Sequence, residues 1–245
     1  MKYQEKPLIA VITGANKGLG FATAQQLAEQ GYRVVLTARN EQAGQAAVMA
    51  LAEKGLEVDF LPLDISETAS IAAFTSAMAA RYQRCDVLIN NAGVFFDWEI
   101  SASKVQLEEL HSTFQTNVWG TINVTQHLMP LLNKSAQGKI INVSSDLGSL
   151  SFASDTENEY YSVSGVAYRM SKAALNMYSI ALSKEFDASN IVVSVVSPGW
   201  CQTDMGTDAA PRSPEQGAKS IVEVAQAQST QFHGKFVLDG QILAW

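Results

Sequence analysis

The sequence has few of the residues that disulfide frameworks and metal sites require. It contains two cysteines, Cys85 and Cys201, and three histidines. No two of them stand at the spacing typical of metal ligands, and two cysteines cannot build a disulfide framework. We therefore interpret both cysteines as apolar packing residues and predict no metal site.

Long hydrophobic runs and an excess of positive charge are also missing. The apolar run near the N-terminus, within MKYQEKPLIAVITGANKG, is only about seven residues long, too short for a signal peptide or a membrane span. The chain has 17 basic and 24 acidic side chains, a net charge of −7. This balance argues against binding to nucleic acid or to an anionic membrane. We expect a cytoplasmic protein with neither partner, in which a local basic site holds any anionic ligand.

Seven apolar, β-rich segments are present, and most of them show little alternation with polar residues. Strands buried on both faces of a parallel sheet have this pattern. The predicted strands are Leu8–Thr13, Arg33–Thr37, Val58–Leu61, Val87–Ile89, Lys139–Val143, Ile191–Val196 and Lys235–Leu238.

Helical patterns separate these strands. The predicted helices are Leu19–Gln30, Gln42–Lys54, one that follows Ser66 as its N-cap, Ser103–Asn133, Val166–Asp187 and Pro214–Ser229. The segment Leu147–Gly165 is irregular and is predicted to be a surface excursion. The alternation predicts an α/β fold, a doubly wound parallel sheet of about seven strands with helices on both faces, in one domain over residues 1–245.

A glycine-rich turn follows the first predicted strand. Gly14, Gly18 and Gly20 have the spacing Gly-x3-Gly-x-Gly. Glycines there let the backbone approach a pyrophosphate, and the following helix N-terminus offers free N–H groups and partial positive charge. A glycine-rich turn can occur at any strand–helix junction, but its place after the first strand favours a dinucleotide site.

The end of the second strand bears on which dinucleotide binds. A site selective for NAD needs a carboxylate there for the ribose 2′-hydroxyl, and Val34–Asn40 contains none. Arg39 stands there instead, and Lys17 lies in the glycine turn. Two cations attract a 2′-phosphate, and arginine binds phosphate through paired hydrogen bonds. The sequence thus favours NADP(H), with two ordinary surface cations as the alternative interpretation.

Tyr168 and Lys172 are four residues apart in a predicted helix. Residues at this spacing share one helix face and can point into one site. The pair is a weak signal alone, and its context strengthens it. The preceding strand ends in Ser144-Ser145, and the following strand ends in Ser197-Pro198-Gly199.

Together and in this order, these motifs resemble the short-chain dehydrogenase/reductase family over nearly the whole chain. The matching residues are Thr13-Gly14-x3-Gly18-x-Gly20, Asp64, Asn90-Asn91-Ala92-Gly93, Asn117, Ser145, Tyr168-x3-Lys172 and Pro198-Gly199-x3-Thr203. The segments TGANKGLG, LTARN, PLDI, SPGWCQTDM and GKFVLDGQILAW are similar to the carbonyl reductase branch.

The resemblance implies a Rossmann-type dinucleotide-binding and catalytic domain with four catalytic residues. Tyr168 would be the general acid in reduction, and Lys172 would hold the nicotinamide ribose and lower the Tyr168 pKa. Ser145 would bind the substrate oxygen, and Asn117 would help hold a water in a proton relay. Bringing a tyrosine pKa from about 10 to near 7 requires roughly 4 kcal/mol. One ammonium at about 4 Å supplies roughly that amount at an effective dielectric constant of 20.

The resemblance also implies a set of cofactor-binding residues. Asp64 and Ile65 would contact adenine, Asn91 would lie along the cofactor, and Thr203 would bind the carboxamide. The full set is Gly14, Asn16, Lys17, Gly18, Leu19, Gly20, Arg39, Asp64, Ile65, Asn91, Ala92, Gly93, Tyr168, Lys172, Pro198, Gly199 and Thr203.

The separation of Ser145 from Tyr168 is longer than in most members, because of the segment SFASDTENEYYSVSG. This insertion is predicted to form one wall of the substrate site. Candidate substrate-pocket residues are Val94, Phe95, Phe96, Trp98, Phe152, Tyr161 and Trp200. Their side chains favour an apolar or aromatic carbonyl compound, and the sequence leaves open whether the chain forms a homo-oligomer.

The leading hypothesis is an NADPH-dependent reductase that acts on a ketone, aldehyde or quinone. One alternative is an NAD-dependent alcohol dehydrogenase on the same fold. The other is a non-catalytic dinucleotide-sensing protein, although such proteins typically lose the tyrosine or the lysine and this chain keeps both.

Overall fold

The computed structural model describes residues 7–228 and 230–245. Its strands are β1 (Ile9–Ile12), β2 (Arg33–Ala38), β3 (Val58–Pro62), β4 (Val87–Asn90), β5 (Gly138–Val143), β6 (Ile191–Val196), β7 (Phe236–Leu238) and β8 (Gln241–Ile242). They form one sheet in the order β3-β2-β1-β4-β5-β6-β7-β8. Among the strands of the described residues, β7 and β8 are the only pair that is antiparallel. The strand order reverses between β1 and β4, and in open α/β sheets ligands bind at the carboxyl ends of the strands beside such a reversal.

The helices are α1 (Gly18–Glu29), α2 (Glu41–Ala52), α3 (Thr68–Arg81), α4 (Leu107–Phe114), α5 (Thr121–Leu132), α6 (Leu150–Ser154), α7 (Val166–Glu185) and α8 (Pro214–Gln226). A π-helix, Gln115–Gly120, joins α4 to α5, and a 3-10 helix spans Asp146–Gly148. Within the described ranges no helix is long and apolar enough to cross a membrane.

The core lies on both faces of the sheet. Successive residues of a strand point to opposite faces, and in β1 Ile12 packs with Leu27 and Ile221 of α1 and α8. Its neighbour Val11 packs instead with helices α3 and α5 on the other face. Every residue of β1, β4 and β6 is buried, which explains why these strands appear in the sequence as uninterrupted apolar runs.

All seven predicted strands are present, and β8 is an addition. It forms a short hairpin with β7 through Asp239 and Gly240, whose φ angles are 45° and 71°. An Asp-Gly pair with two positive φ angles is typical of a tight hairpin turn. The two-residue strand was too short to produce an alternating pattern.

Three helix predictions are corrected. The helix predicted at Ser103–Asn133 begins only at Leu107 and is interrupted by the π-helix. Ser66 does not cap α3, because its hydroxyl donates to Asp64 Oδ1 at 2.6 Å and the N-cap position falls on Glu67. The last helix ends at Gln226, and its predicted end at Ser229 lies outside the described residues, as do residues 1–6 of the N-terminal segment.

Candidate active site

A cleft of about 770 Å³ opens at the carboxyl ends of the central strands. Pockets of this size are typical of small-molecule and cofactor sites. Every residue predicted to bind the cofactor lines it: Gly14, Asn16, Lys17, Gly18, Leu19, Gly20, Arg39, Asp64, Ile65, Asn91, Ala92, Gly93, Tyr168, Lys172, Pro198, Gly199 and Thr203. The fold therefore gathers residues that are up to 189 positions apart in the sequence (203 − 14).

The glycine turn packs tightly against the loop that follows β4. A Cβ added to Gly14 would lie 3.0 Å from the Ala92 Cα, and one added to Gly20 would lie 2.5 Å from the Asn91 Nδ2. Gly14 also has a φ of 61°, which favours glycine. The Thr13 hydroxyl oxygen accepts hydrogen bonds from the backbone N–H groups of Asn91 and Ala92, both at 3.0 Å. These contacts explain why larger residues do not fit in this turn.

The N-terminus of α1 lies directly behind the glycine turn. Its N-cap residue is Lys17, and no side chain of the described residues caps the first backbone N–H groups of the helix. Unpaired N–H groups at a helix start, with the positive end of the helix dipole, bind phosphate. The turn and helix together fit the pyrophosphate of a dinucleotide.

The two predicted 2′-phosphate ligands differ in their surroundings. Arg39 is exposed on the cleft wall and has no hydrogen-bond or ion-pair partner among the described residues. Lys17 forms an exposed ion pair with Asp204, which belongs to the loop after β6. This pairing was not expected, and it leaves Arg39 as the cation with unused donors.

Three of the four predicted catalytic side chains meet on the cleft wall. Ser145, Tyr168 and Lys172 all line the cleft, and Tyr168 and Lys172 are only 7% and 4% exposed. The Lys172 Nζ donates to the Val143 carbonyl oxygen at 2.8 Å and lies 5.6 Å from the centre of the Tyr168 ring. The Tyr168 ring stacks on Phe95 with a centroid distance of 4.2 Å. The tyrosine and lysine therefore face the glycine-lined cleft as their spacing predicted.

The pKa values of the pair differ from those expected. Burial raises the pKa of Tyr168 to about 12, and the Asp146 charge adds to this, while the neighbouring Ser145 hydroxyl acts in the opposite direction. Burial also lowers the pKa of Lys172 to about 8. The net pKa of Tyr168 in this structure is therefore raised above its ordinary value, because desolvation of the phenolate is the largest contribution. Tyr168 stays protonated at neutral pH, which is the state that a proton donor needs.

Asn117 does not line the cleft. It is fully buried in the π-helix, where its side chain accepts from the Val94 N–H at 2.8 Å and donates to the Val94 carbonyl oxygen at 2.9 Å. Its Nδ2 also donates to the Ser171 hydroxyl at 3.0 Å. Through these bonds Asn117 holds the loop after β4 against the helix that carries Tyr168.

Sequence reasoning missed Asp97, a fully buried residue of the loop after β4. Its carboxylate accepts hydrogen bonds from the backbone N–H groups of Ala167 at 2.6 Å and Tyr168 at 3.2 Å. The residue at the N-cap of α7 is Gly165, which has no side chain to cap the helix. The missing cap was a signal in the sequence, but it did not show which distant residue replaces it.

The wall beyond the catalytic residues is largely aromatic. Of the predicted pocket residues, Val94, Phe95, Phe96, Trp98 and Trp200 line the cleft. Phe152 and Tyr161 do not, whereas Tyr160 and Val163 of the same insertion do. Tight turns that bond Tyr161 N–H to Asn158 and Val163 N–H to Tyr160 reverse the chain there. The insertion thus contributes to the cleft, as predicted, but through different side chains.

Comparisons with known proteins identify the family of this chain. The short chain dehydrogenase family matches residues 8–214. A short-chain dehydrogenase of Penicillium roqueforti is 36% identical, with 97% of this chain and 96% of the relative covered. Carbonyl reductase [NADPH] 1 of Sus scrofa is 34% identical, with coverage of 97% and 94%. The crystal structure of NADPH-bound carbonyl reductase from chicken fatty liver superposes with a TM-score of 0.87 at 27% identity, over 98% of this chain and 100% of that one.

The chain belongs to the short-chain dehydrogenase family and to its carbonyl reductase-like branch. It is an oxidoreductase with the Rossmann fold of that family, and its cofactor is a nicotinamide dinucleotide.

Proposed function

We propose that this protein is an NADPH-dependent reductase that transfers hydride to the carbonyl carbon of a ketone, aldehyde or quinone. The observation that supports this most strongly is the convergence of Ser145, Tyr168 and Lys172 on the wall of a glycine-turn cleft. The function is expected to need no metal.

In the proposed reaction the substrate oxygen lies against the Ser145 and Tyr168 hydroxyls. The bound cofactor supplies the hydride, which adds to the carbonyl carbon. As the carbon–oxygen double bond becomes single, the oxygen takes the phenolic proton of Tyr168, and the product is the alcohol. Lys172 lies beside the phenol and stabilises the negative charge that the proton leaves behind. In the reverse direction the same phenolate would act as the base.

The preference for NADPH rests on charge at the end of β2. Arg39 lines the cleft there, and the segment from Val34 to Asn40 carries no carboxylate that would repel a 2′-phosphate. The Sus scrofa relative and the chicken structure have NADPH in their name and title, in agreement with this assignment. The substrate is a small molecule with an apolar or aromatic part, because aromatic side chains dominate the outer wall.

The decisive experiment replaces Tyr168 by phenylalanine and follows NADPH oxidation with a panel of ketones, aldehydes and quinones. We expect Tyr168→Phe to lower kcat by about 100- to 10,000-fold, the range of general acid catalysis. NADPH affinity, measured by cofactor fluorescence, should be unchanged because the ring and its packing on Phe95 remain.

The matched control is Tyr161→Phe, since Tyr161 is an exposed tyrosine outside the cleft. It should behave as the unmodified enzyme. Full activity in Tyr168→Phe would contradict the mechanism. NADPH binding without turnover of any carbonyl compound by the unmodified protein would favour a dinucleotide sensor.

A further inference from the structure

Asp146 follows the catalytic Ser145 and has no role in the reaction described above. It is only 9% exposed, and it nevertheless lines the cleft together with Tyr160 and Trp200. Its Oδ1 atom is buried and has no hydrogen-bond partner among the residues that the structure describes.

No cation in the described part of the structure is paired with this carboxyl group. The positive charge of Arg212 acts on the Asp146 carboxyl group, but both terminal nitrogens of Arg212 donate to Asp239, at 2.7 and 2.8 Å. The negative charges of Glu159 and Asp239 raise the Asp146 pKa, whereas the positive charge of Arg212 lowers it. An unpaired buried carboxyl group is costly for a fold, and such groups concentrate at functional sites.

The backbone holds Asp146 in place independently of its side chain. Asp146 begins the 3-10 helix Asp146–Gly148, in which the Ser149 N–H bonds to the Asp146 carbonyl oxygen at 3.0 Å. A Cβ added to Gly148 would lie 2.6 Å from the Lys172 Cβ, so this helix packs directly against α7. The backbone of Asp146 is therefore fixed beside the reaction centre, and the charge of its carboxyl group raises the pKa of Tyr168.

Burial raises the Asp146 pKa, the nearby Ser197 hydroxyl lowers it, and Glu159 raises it further. Burial is the largest of these effects, as expected for a carboxyl group held largely out of water beside the cleft, and Oδ1 is the oxygen that has no partner among the described residues. A cleft wall that is otherwise aromatic, with one unsatisfied acceptor, orients a ligand that carries a matching donor.

We propose that Asp146 is a specificity-determining residue whose carboxyl group accepts a hydrogen bond from an N–H or O–H group of the carbonyl substrate. This inference rests on the proposed function and narrows its substrate class. The preferred substrates are aromatic carbonyl compounds that also bear a hydroxyl or a protonated amine near the carbonyl group.

The test compares acetophenones that carry a hydroxyl, an ammonium or a methoxy group one, two or three carbons from the carbonyl. A hydrogen bond to a charged acceptor corresponds to a preference of about 10- to 100-fold. We expect kcat/KM of the unmodified enzyme to favour a donor-bearing compound over its methoxy analogue by that factor. Asp146→Leu should reduce the ratio to near one.

Asp146→Asn separates the two kinds of donor. It keeps an acceptor oxygen and loses the charge, so the hydroxyl preference should persist while the ammonium preference falls about tenfold or more. Asparagine also has the shape of aspartate, so Asp146→Asn can be tested even if Asp146→Leu does not fold. The matched control is Asp155→Asn, since Asp155 is exposed on the insertion and outside the cleft.

A binding measurement separates failure of this inference from failure of the proposed function. Trp98 and Trp200 line the cleft, so quenching of their fluorescence reports binding of the same compounds without turnover. Equal donor-to-methoxy ratios in the unmodified enzyme and in Asp146→Leu, in turnover or in binding, would overturn the role of Asp146. A binding preference that Asp146→Leu removes would support it even if no compound is reduced.

Discussion

At the scale of single residues, the two cations near the cofactor's predicted 2′-phosphate are not equivalent. Lys17 is engaged in an ion pair with Asp204, so a phosphate must compete with a carboxylate for it. Arg39 is exposed on the cleft wall, and its planar donors match a phosphate group. Selectivity for NADPH should therefore depend on Arg39 more than on Lys17.

Arg39→Asp should reverse the cofactor preference. Loss of a charge-assisted hydrogen bond lowers NADPH affinity by about 10- to 100-fold, and the new carboxylate can accept from the ribose hydroxyl of NADH. Dissociation constants for both reduced cofactors, measured by fluorescence, check this. Lys134→Asp is the control, because Lys134 is exposed and outside the cleft. An unchanged ratio of the two constants would contradict the assignment.

At this scale, the sequence was sufficient to predict most of the residues that line the cleft. The glycine spacing and the Tyr168–Lys172 spacing are local patterns, and both residue groups line the cleft. The pairing of Lys17 with a residue 187 positions away and the raised pKa of Tyr168 depend on tertiary position and burial. No local pattern contains that information.

At the scale of elements, α7 depends on the loop after β4 for its N-terminal cap. Asp97 binds the first N–H groups of the helix, and its negative charge also lies at the positive end of the helix dipole. The same two N–H groups belong to Ala167 and to Tyr168 itself. The cap therefore links the position of the proposed proton donor to the loop that carries Phe95 and Phe96.

Asp97→Ala should destabilise the protein and impair the reaction together. Two buried N–H groups would lose their acceptor, at about 1 to 3 kcal/mol each, so we expect a loss of about 2 to 6 kcal/mol in the free energy of unfolding and a lower kcat. Denaturant unfolding and NADPH oxidation measure the two effects. Asp97→Asn, which keeps one acceptor, should lose less than Asp97→Ala. An Asp155→Ala control removes only one exposed hydrogen bond, from the Glu157 N–H, so it should leave kcat unchanged and cost far less stability. An unchanged unfolding midpoint in Asp97→Ala would disprove the role.

The π-helix shows where pattern analysis of an element stops. The periodicity of residues 103–133 correctly indicates helix for most of its length, but a π-helix differs from an α-helix by its hydrogen bonds and not by residue type. Gly120 closes the π-helix, and a Cβ there would lie 2.6 Å from the Ile65 carbonyl oxygen. This contact with the loop after β3, together with the buried Asn117, depends on packing between distant parts of the chain.

At the scale of the whole molecule, the sheet could be predicted from its apolar strands, because strands buried on both faces leave a clear mark in the sequence. One consequence of that architecture could not be predicted from the sequence. The carboxyl ends of the strands and α7 together enclose Lys172, and burial lowers its pKa to about 8. Global stability is thereby coupled to the proton equilibrium of a single side chain.

The sign of this coupling follows from the two states of Lys172. Its pKa is about 8 in the folded protein and about 10.4 in an unfolded chain. Between these values the unfolded state binds more protons, so stability rises with pH. Burial of the ammonium is costly below pH 8, and that cost disappears as pH increases toward 10.4. Tyr168 acts in the opposite direction only above pH 10, because its folded pKa is raised to about 12.

Unfolding by urea from pH 7 to pH 10 should therefore show a gain of about 2 to 3 kcal/mol in the unmodified protein relative to Lys172→Met. The difference between the two proteins isolates Lys172, since all other titrating groups are shared. Lys184→Met, on an exposed position of the same helix, should follow the unmodified protein throughout. Parallel profiles for the unmodified protein and Lys172→Met would mean that the buried ammonium is stabilised by contacts that offset its desolvation.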